Sequence, residues 1–97
     1  MYTSGVWKVK AGHAEEFIAA WTEFAEWTRA HAAGVGWAKL LRDATDADRF
    51  VSLGPWESVE AINAWRALDG WKERITKIRE LLVSFEALTL TLVVEVE

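Results

Sequence analysis

The pattern of apolar and polar positions changes period along this chain, and each change marks a predicted element. Ser4 to Lys10 alternate, with Trp7 on one side and Lys8 on the other, which predicts a first strand. From His13 to His31 the apolar residues recur every three or four positions. Acidic residues occupy the first turn of this segment, where they favour the helix dipole, so we expect a long amphipathic helix.

Beyond the helix, the spacing predicts two strands, a broken helical region and a last strand. Residues 35–42 and 49–56 are the predicted strands, and the polar residues 43–48 form the turn between them. Ser58 is a plausible N-cap for the second helical region, which Asp69 and Gly70 interrupt. The later half carries an apolar stripe of Trp71, Ile75, Ile78 and Leu82. Residues 85–97 alternate again and predict the final strand.

The resulting order is β-α-β-β-α-β, with the second helical region divided in two. It predicts an α+β, ferredoxin-like fold: one domain over residues 1–97, with a four-stranded antiparallel sheet and its helices on one face. The sheet face without helices also carries apolar residues, so we expect a second copy of the chain to cover it. Trp7, Trp37 and part of the last strand are expected to face this partner.

Composition strengthens the expectation of a homodimer or a ligand cavity. The 97 residues are 52% hydrophobic, and seven of the twelve aromatic residues are tryptophan. A chain this short buries only about 60–65% of its unfolded surface. One small core is therefore a poor destination for so much large apolar surface.

Charge and residue usage exclude several classes of protein. The net charge of −4 disfavours nucleic-acid binding, and no apolar run reaches the about 18 residues that a membrane span needs. The first residues lack a basic-then-apolar signal pattern, so we expect a cytoplasmic protein. Without cysteine, and with only His13 and His31, the chain is not expected to hold a metal.

Two segments resemble the antibiotic biosynthesis monooxygenase (ABM) family. Residues 11–21 resemble its "Pro-Gly, four residues, Phe, three residues, Trp" start, with Ala11 in place of the proline. Residues 56–65 resemble its "Trp-x-Ser-x-x-Ala-x-x-x-Trp" segment. The resemblance implies a dimeric α+β barrel, with a pocket between sheet and helices in each subunit. It also implies oxygenation of a small aromatic, quinol or polyketide-like substrate without a cofactor.

The residues at a few positions show whether the chain resembles either of two branches of that family. Haem-degrading relatives place an asparagine, a tryptophan and an axial histidine where this chain has Gly5, Trp65 and Ile75, so we reject haem degradation. Relatives that oxidise anthrones place an asparagine and a tyrosine where this chain has Ala61 and Trp71. Trp71 retains an N–H donor but cannot ionise as a tyrosine can.

The candidate site residues follow from the helical stripes. Trp65 is a candidate catalytic residue that clamps a planar substrate or donates its indole N–H, and core packing is the alternative. His31, near the apolar arc of the first helix, is a candidate general base, and a solvated helix end is its alternative. The candidate substrate-binding residues are Trp65, Trp71, Phe24 and Trp21.

Two further alternatives stay open at this stage. The strand lysines Lys8, Lys10 and Lys39 are placed either to neutralise an anionic ligand or to protect a sheet edge from aggregation. The whole chain is either an oxygenase or a non-catalytic small-ligand-binding dimer of the same fold, and a purely structural dimer is a third possibility.

Overall fold

The computed structural model describes all residues 1–97 and confirms the predicted order of elements. The elements are β1 (Tyr2–Val9), α1 (Ala14–His31), β2 (Lys39–Asp43), β3 (Asp46–Pro55), α2 (Val59–Arg66), α3 (Trp71–Arg79) and β4 (Leu82–Leu90). The four strands form one antiparallel sheet in the order β2-β3-β1-β4. The fold is therefore the predicted α+β, ferredoxin-like arrangement.

The break in the second helical region is local and has clear causes. Ser58 caps α2, because its Oγ accepts a hydrogen bond from the backbone N–H of Ala61 at 3.1 Å. Gly70 precedes α3 with a φ of +91°, a conformation that favours glycine. Leu82, predicted on the helical stripe, instead begins β4.

Two predicted strand boundaries are wrong. Residues 35–38 are not part of β2; in this loop Val35 forms only an isolated bridge to Trp56. The last strand ends at Leu90 rather than at residue 97. Leu90 pairs with Tyr2, the first residue of β1, so the alternating residues 91–97 have no neighbouring strand to pair with.

The turn between β2 and β3 is tighter than the sequence suggested. Only Ala44 and Thr45 lie outside the two strands. Asp43 Oδ1 accepts from the Thr45 backbone N–H at 2.8 Å, and Asp46 Oδ1 accepts from the Asp48 N–H at 3.0 Å. These local bonds are the usual way in which aspartate stabilises a turn.

Trp7 lies in the core and not on the face expected to meet a partner. Its side chain is 4% exposed, and its ring lies 5.5 Å from that of Phe17 on α1 and 4.2 Å from that of Phe85. The sheet face that carries Gly5, Trp7 and Val9 therefore packs against the helices, as the alternation of β1 requires.

The opposite sheet face has no helix over it and is partly apolar. Leu41, Val51 and Val6 are aligned across three strands on this face. Leu41 and Leu90 are among the exposed large apolar side chains. No helix of the structure is both long enough and apolar enough to span a membrane.

Candidate functional site

A cavity of about 550 Å³ lies between the sheet and the helices. Its floor exists because two rows of sheet residues have small side chains. The strand register aligns Ser52, Gly5 and Ala87 in one row. The next row consists of Gly54, Thr3 and Thr89. We call the part of the sheet–helix layer above these two rows the hollow half.

The neighbouring row of the same sheet is filled by large aromatic residues. It consists of Phe50, Trp7 and Phe85, with Phe17 of α1 packed above it. We call this part of the layer the packed half. Trp7 and Phe85 also contact the cavity and close one end of it.

Gly5 marks the boundary between the two halves. A Cβ atom at this position would lie 2.6 Å from Trp7 Nε1, which is closer than real contacts allow. The indole of Trp7 therefore lies over Gly5 and donates to Ser52 Oγ at 3.0 Å. This is also the position at which haem-degrading relatives place an asparagine, and Trp7 leaves no room for that side chain.

The walls of the cavity are aromatic, and the structure brings the four predicted substrate-binding residues together there. Phe24 and Trp21 come from α1, Trp65 from α2 and Trp71 from α3. The ring of Trp65 lies 5.6 Å from Phe24 and 5.8 Å from Trp71, in an edge-on arrangement with Trp71. Trp56 of the loop after β3 lies 5.0 Å from Trp65. Such walls suit a planar aromatic ligand.

Three of the indole N–H groups around the cavity are already paired with hydroxyl groups. Besides the bond from Trp7 to Ser52, Trp56 Nε1 donates to Thr3 Oγ1 at 3.0 Å. Trp65 Nε1 donates to Thr28 Oγ1 at 2.9 Å, joining α2 to α1. The N–H donor role considered for Trp65 is therefore taken by a protein contact.

Trp71 differs from these three tryptophans. Its Nε1 is buried and has no hydrogen-bond partner. A buried N–H donor without an acceptor costs about 1–3 kcal/mol, so such a group in a native structure calls for an explanation. The side chain of Trp71 lines the cavity, while Nε1 itself is enclosed by protein atoms.

His31 does not line the cavity. It is exposed at the C-terminal end of α1, where its ring stacks on Trp27 with 5.2 Å between centroids. Its Nδ1 lies 2.9 Å from the carbonyl oxygen of Trp27, to which it can donate. The position of His31 is thus that of a solvated helix end beside the site rather than within it.

Charged residues that the sequence analysis did not select do line the cavity. They are Glu26, Arg29, Arg66 and Arg79. Trp21, Ala25 and Thr28 form the stripe of α1 that faces the cavity. Glu26 and Arg29 are the residues that directly follow Ala25 and Thr28 in the sequence. Their position beside the apolar stripe could have identified them from the sequence. Where the apolar face of a helix borders its polar face, the side chains lie at the edge of the sheet–helix layer, and this is where a cavity opens to solvent.

The strand lysines serve other purposes. Lys8 Nζ bonds to Asp46 at 2.5 Å, Lys10 Nζ donates to the carbonyl oxygen of Glu80, and Lys39 Nζ lies 4.7 Å above the ring of Trp37. None of the three lysines lines the cavity. Trp37, which is 46% exposed, does line it, at the loop before β2.

Asp43 and Asp46, in the turn between β2 and β3, stabilise that turn. Hydrogen bonds from the backbone and hydroxyl of Thr45 lower the pKa of Asp43, with a smaller contribution from Arg49. The bond from Lys8 and the backbone N–H of Asp48 lower the pKa of Asp46. No group of three or more histidine or carboxylate side chains is arranged to hold a metal ion.

Comparisons with known proteins agree with this architecture. The family model of antibiotic biosynthesis monooxygenases matches residues 2–77. An antibiotic biosynthesis monooxygenase of known structure is 16% identical, with a TM-score of 0.82 over 95% of this chain and 97% of that one. No curated protein matches the chain.

Two further solved structures share the fold. SnoaB of Streptomyces nogalater, a cofactor-independent oxygenase, is 20% identical, with a TM-score of 0.80 over 95% of this chain and 93% of that one. A protein of Pseudomonas aeruginosa is 17% identical, with a TM-score of 0.80 over 96% and 93%. These likenesses show the fold, while the family model covers most of the chain. The chain therefore belongs to the antibiotic biosynthesis monooxygenase family.

Proposed function

We propose that this protein is a cofactor-independent monooxygenase of a small aromatic, quinol or polyketide-like substrate. The observation that carries the proposal is the aromatic-walled cavity of about 550 Å³, which is lined by Trp71, a residue whose indole N–H has no partner within the protein. Membership of the ABM family and the fold shared with SnoaB support the same reaction class.

The walls and the free donor suit a reaction in which the substrate supplies the electrons. A deprotonated anthrone or quinol carries negative charge on its oxygen, and rotation of the Trp71 ring towards the ligand would let its N–H stabilise that charge. For an anthrone, O₂ oxidises the ring CH₂ group to a carbonyl. One oxygen atom enters the product, and the other leaves with the two hydrogens as water. Apolar walls keep bulk water away from the reacting ring.

We assign to Glu26 the role of the general base that removes the proton from the substrate. Glu26 contributes the one carboxylate among the residues that line the cavity, and no histidine lines it. The hydroxyl, indole and guanidinium groups of the other lining residues do not accept a proton at neutral pH. His31, the candidate base of the sequence analysis, lies outside, so His31→Ala is expected to retain activity while Glu26→Gln loses it.

The proposed active form is a homodimer that covers the open sheet face. Leu41 and Leu90 are exposed on the sheet face that has no helix over it. Two copies packed through this face would bury these residues and leave each cavity on the helix side. Sedimentation at micromolar concentration should give twice the 11.0 kDa mass of one chain. A stable monomer would contradict this part of the proposal.

Oxygen consumption tests the reaction directly. In buffer treated with a chelator, the protein should consume O₂ with anthrone to form anthraquinone and water, or with a hydroquinone to form the hydroxyquinone and water. Trp71→Phe should slow turnover about tenfold or more, because a hydrogen bond to a charged group contributes about 1.5–3 kcal/mol. Trp27→Phe is the matched control, since Trp27 lies outside the cavity. No oxygen uptake above the buffer blank with any of these substrates would contradict the proposal.

A non-catalytic ligand-binding dimer is the second candidate function. The observation that favours it is the absence of histidine and tyrosine among the residues that line the cavity. This candidate predicts quenching of tryptophan fluorescence by aromatic ligands without any oxygen uptake. Binding together with turnover would eliminate it.

A further inference from the structure

Two arginines from different helices line the cavity. Arg29 follows Thr28 on α1, and Arg66 follows Trp65 on α2. The hydrogen bond from Trp65 Nε1 to Thr28 Oγ1, 2.9 Å long, joins the two helices at the preceding residues. Both arginines line the cavity, and both are exposed. The two helices therefore each add an arginine to the cavity lining, next to a residue of their mutual contact.

Neither guanidinium is used within the protein. The four ion pairs of the chain involve Lys8, His13, Arg42 and Arg49. Arg74, another arginine of the helical layer, donates to the carbonyl oxygen of Gly70 and stacks on Trp27. Arg29 and Arg66 have neither an ion pair nor a side-chain hydrogen bond, although long cationic side chains usually gain from such partners.

The local charge is opposite to that of the whole protein. The chain carries a net charge of −4, yet the cavity lining has three arginines and a single carboxylate, that of Glu26. Arg79, the third arginine, lies at the end of α3 with its guanidinium 6.0 Å from the ring of Phe85. The excess of positive charge is thus a property of the cavity and not of the composition.

We infer that Arg29 and Arg66 bind a carboxylate on the substrate. The inference rests on the proposed function and names its substrate class, an aromatic or quinol carboxylic acid. The aromatic walls hold the rings, and the carboxylate stays at the rim, where it faces two planar donors. Guanidinium groups bind carboxylates through paired N–H···O bonds, which fix orientation as well as adding affinity.

This arrangement also orients the reacting part of the substrate. A carboxylate held at the rim directs the opposite end of a planar ring system into the cavity, towards the aromatic walls that include Trp71. The two arginines are therefore specificity-determining residues. They take no part in the oxidation itself.

A binding experiment with matched ligands tests the inference without requiring turnover. Quenching of tryptophan fluorescence would be measured for anthraquinone-2-carboxylate and for its neutral carboxamide. The unsubstituted protein should bind the carboxylate at least tenfold more tightly at low ionic strength, and added salt should reduce this preference. The double variant Arg29→Gln/Arg66→Gln should bind both ligands equally well.

Arg42→Gln is the matched control, because Arg42 is an exposed arginine that does not line the cavity. It should keep the full preference for the carboxylate. Thermal unfolding of the double variant should stay close to that of the unsubstituted protein, since both arginines are exposed and unpaired. Equal binding of the two ligands by the unsubstituted protein, or an unchanged preference in the double variant, would overturn the inference.

Failure of the oxygenase proposal has a different signature. A carboxylate preference that depends on Arg29 and Arg66, without oxygen uptake, would leave the anion site standing and reject the oxygenase. Oxygen uptake with the same kcat/KM for acid and amide substrates would support the oxygenase and reject the carboxylate site.

Discussion

The packed half and the hollow half share one sheet, one strand register and the same helices, yet one is solid and the other is open. In the packed half, the row of Phe50, Trp7 and Phe85 fills the space below Phe17. Two residues along each strand, the corresponding row consists of Ser52, Gly5 and Ala87. Side-chain size at equivalent positions, and not the backbone, decides where this fold has a cavity. Large aromatic residues fill the core of the packed half, and other large aromatic residues form the walls of the cavity in the hollow half.

The largest effect is expected in the packed half. Phe17 is fully buried, with its ring 5.5 Å from Trp7 and 5.0 Å from Phe50. Phe17→Ala should reduce the free energy of unfolding by about 3–5 kcal/mol, because it opens a cavity in a filled region. Urea denaturation measures this value. A loss below about 1 kcal/mol would show that this half is not tightly packed.

A smaller loss is expected at the boundary between the halves. In Gly5→Ala the new methyl group would lie 2.6 Å from Trp7 Nε1, so the indole must move away from Ser52. Overfilling of this kind costs about 1–3 kcal/mol, again measurable by urea denaturation. The near-ultraviolet circular dichroism of Trp7 should change as well. An unchanged spectrum and unchanged stability would contradict the described position of the indole.

The link between the helices above the hollow half should contribute less. Thr28→Val keeps the shape of the side chain but leaves the N–H of Trp65 without its acceptor. The free energy of unfolding should fall by about 1–2 kcal/mol. Thr22→Val is the matched control, since its exposed hydroxyl bonds only to the Ile18 carbonyl of its own helix. Equal losses in the two variants would argue against a specific role for the bond between Trp65 and Thr28.

The smallest effect concerns the turn next to the packed half and depends on pH. The pKa values of Asp43 and Asp46 lie below their ordinary value of 3.8 in the folded protein. Their contribution to stability is thus complete above that value and is lost as the pH falls through the lower folded pKa values. Urea denaturation between about pH 5 and pH 2.5 should show this loss. In Asp43→Asn/Asp46→Asn the dependence on pH should be shallower, and an equally steep dependence would contradict the assignment.

The sequence predicted the elements and the faces of the packed half, because these depend on local periodicity. The alternation of β1 correctly placed Trp7 and Lys8 on opposite faces, and the apolar stripe predicted from Trp71 onwards contains the buried residues Ile75 and Ile78 of α3. What the sequence did not reveal is that Trp7 folds over Gly5. That contact depends on the tertiary position of a side chain and not on its period.

The differences from the predicted structure arise where an element outruns its neighbours. At the end of α1, His31 is exposed and its ring stacks only on Trp27 of the same helix. Residues 91–97 alternate like a strand but extend beyond the first residue of β1. Arg29 lies next to the apolar stripe of α1, and the stripe alone does not show that a cavity opens beside it.

The most direct test of this account fills the hollow half and measures ligand binding. Ala87 belongs to the floor row beside Gly5 and faces open space in the cavity. Ala87→Leu should leave the free energy of unfolding within about 1 kcal/mol, because the added atoms enter an existing cavity. Titration with anthraquinone-2-carboxylate, followed by tryptophan fluorescence, should show binding at least tenfold weaker than in the unsubstituted protein. Unchanged binding by Ala87→Leu would contradict the claim that the small floor residues create the ligand site.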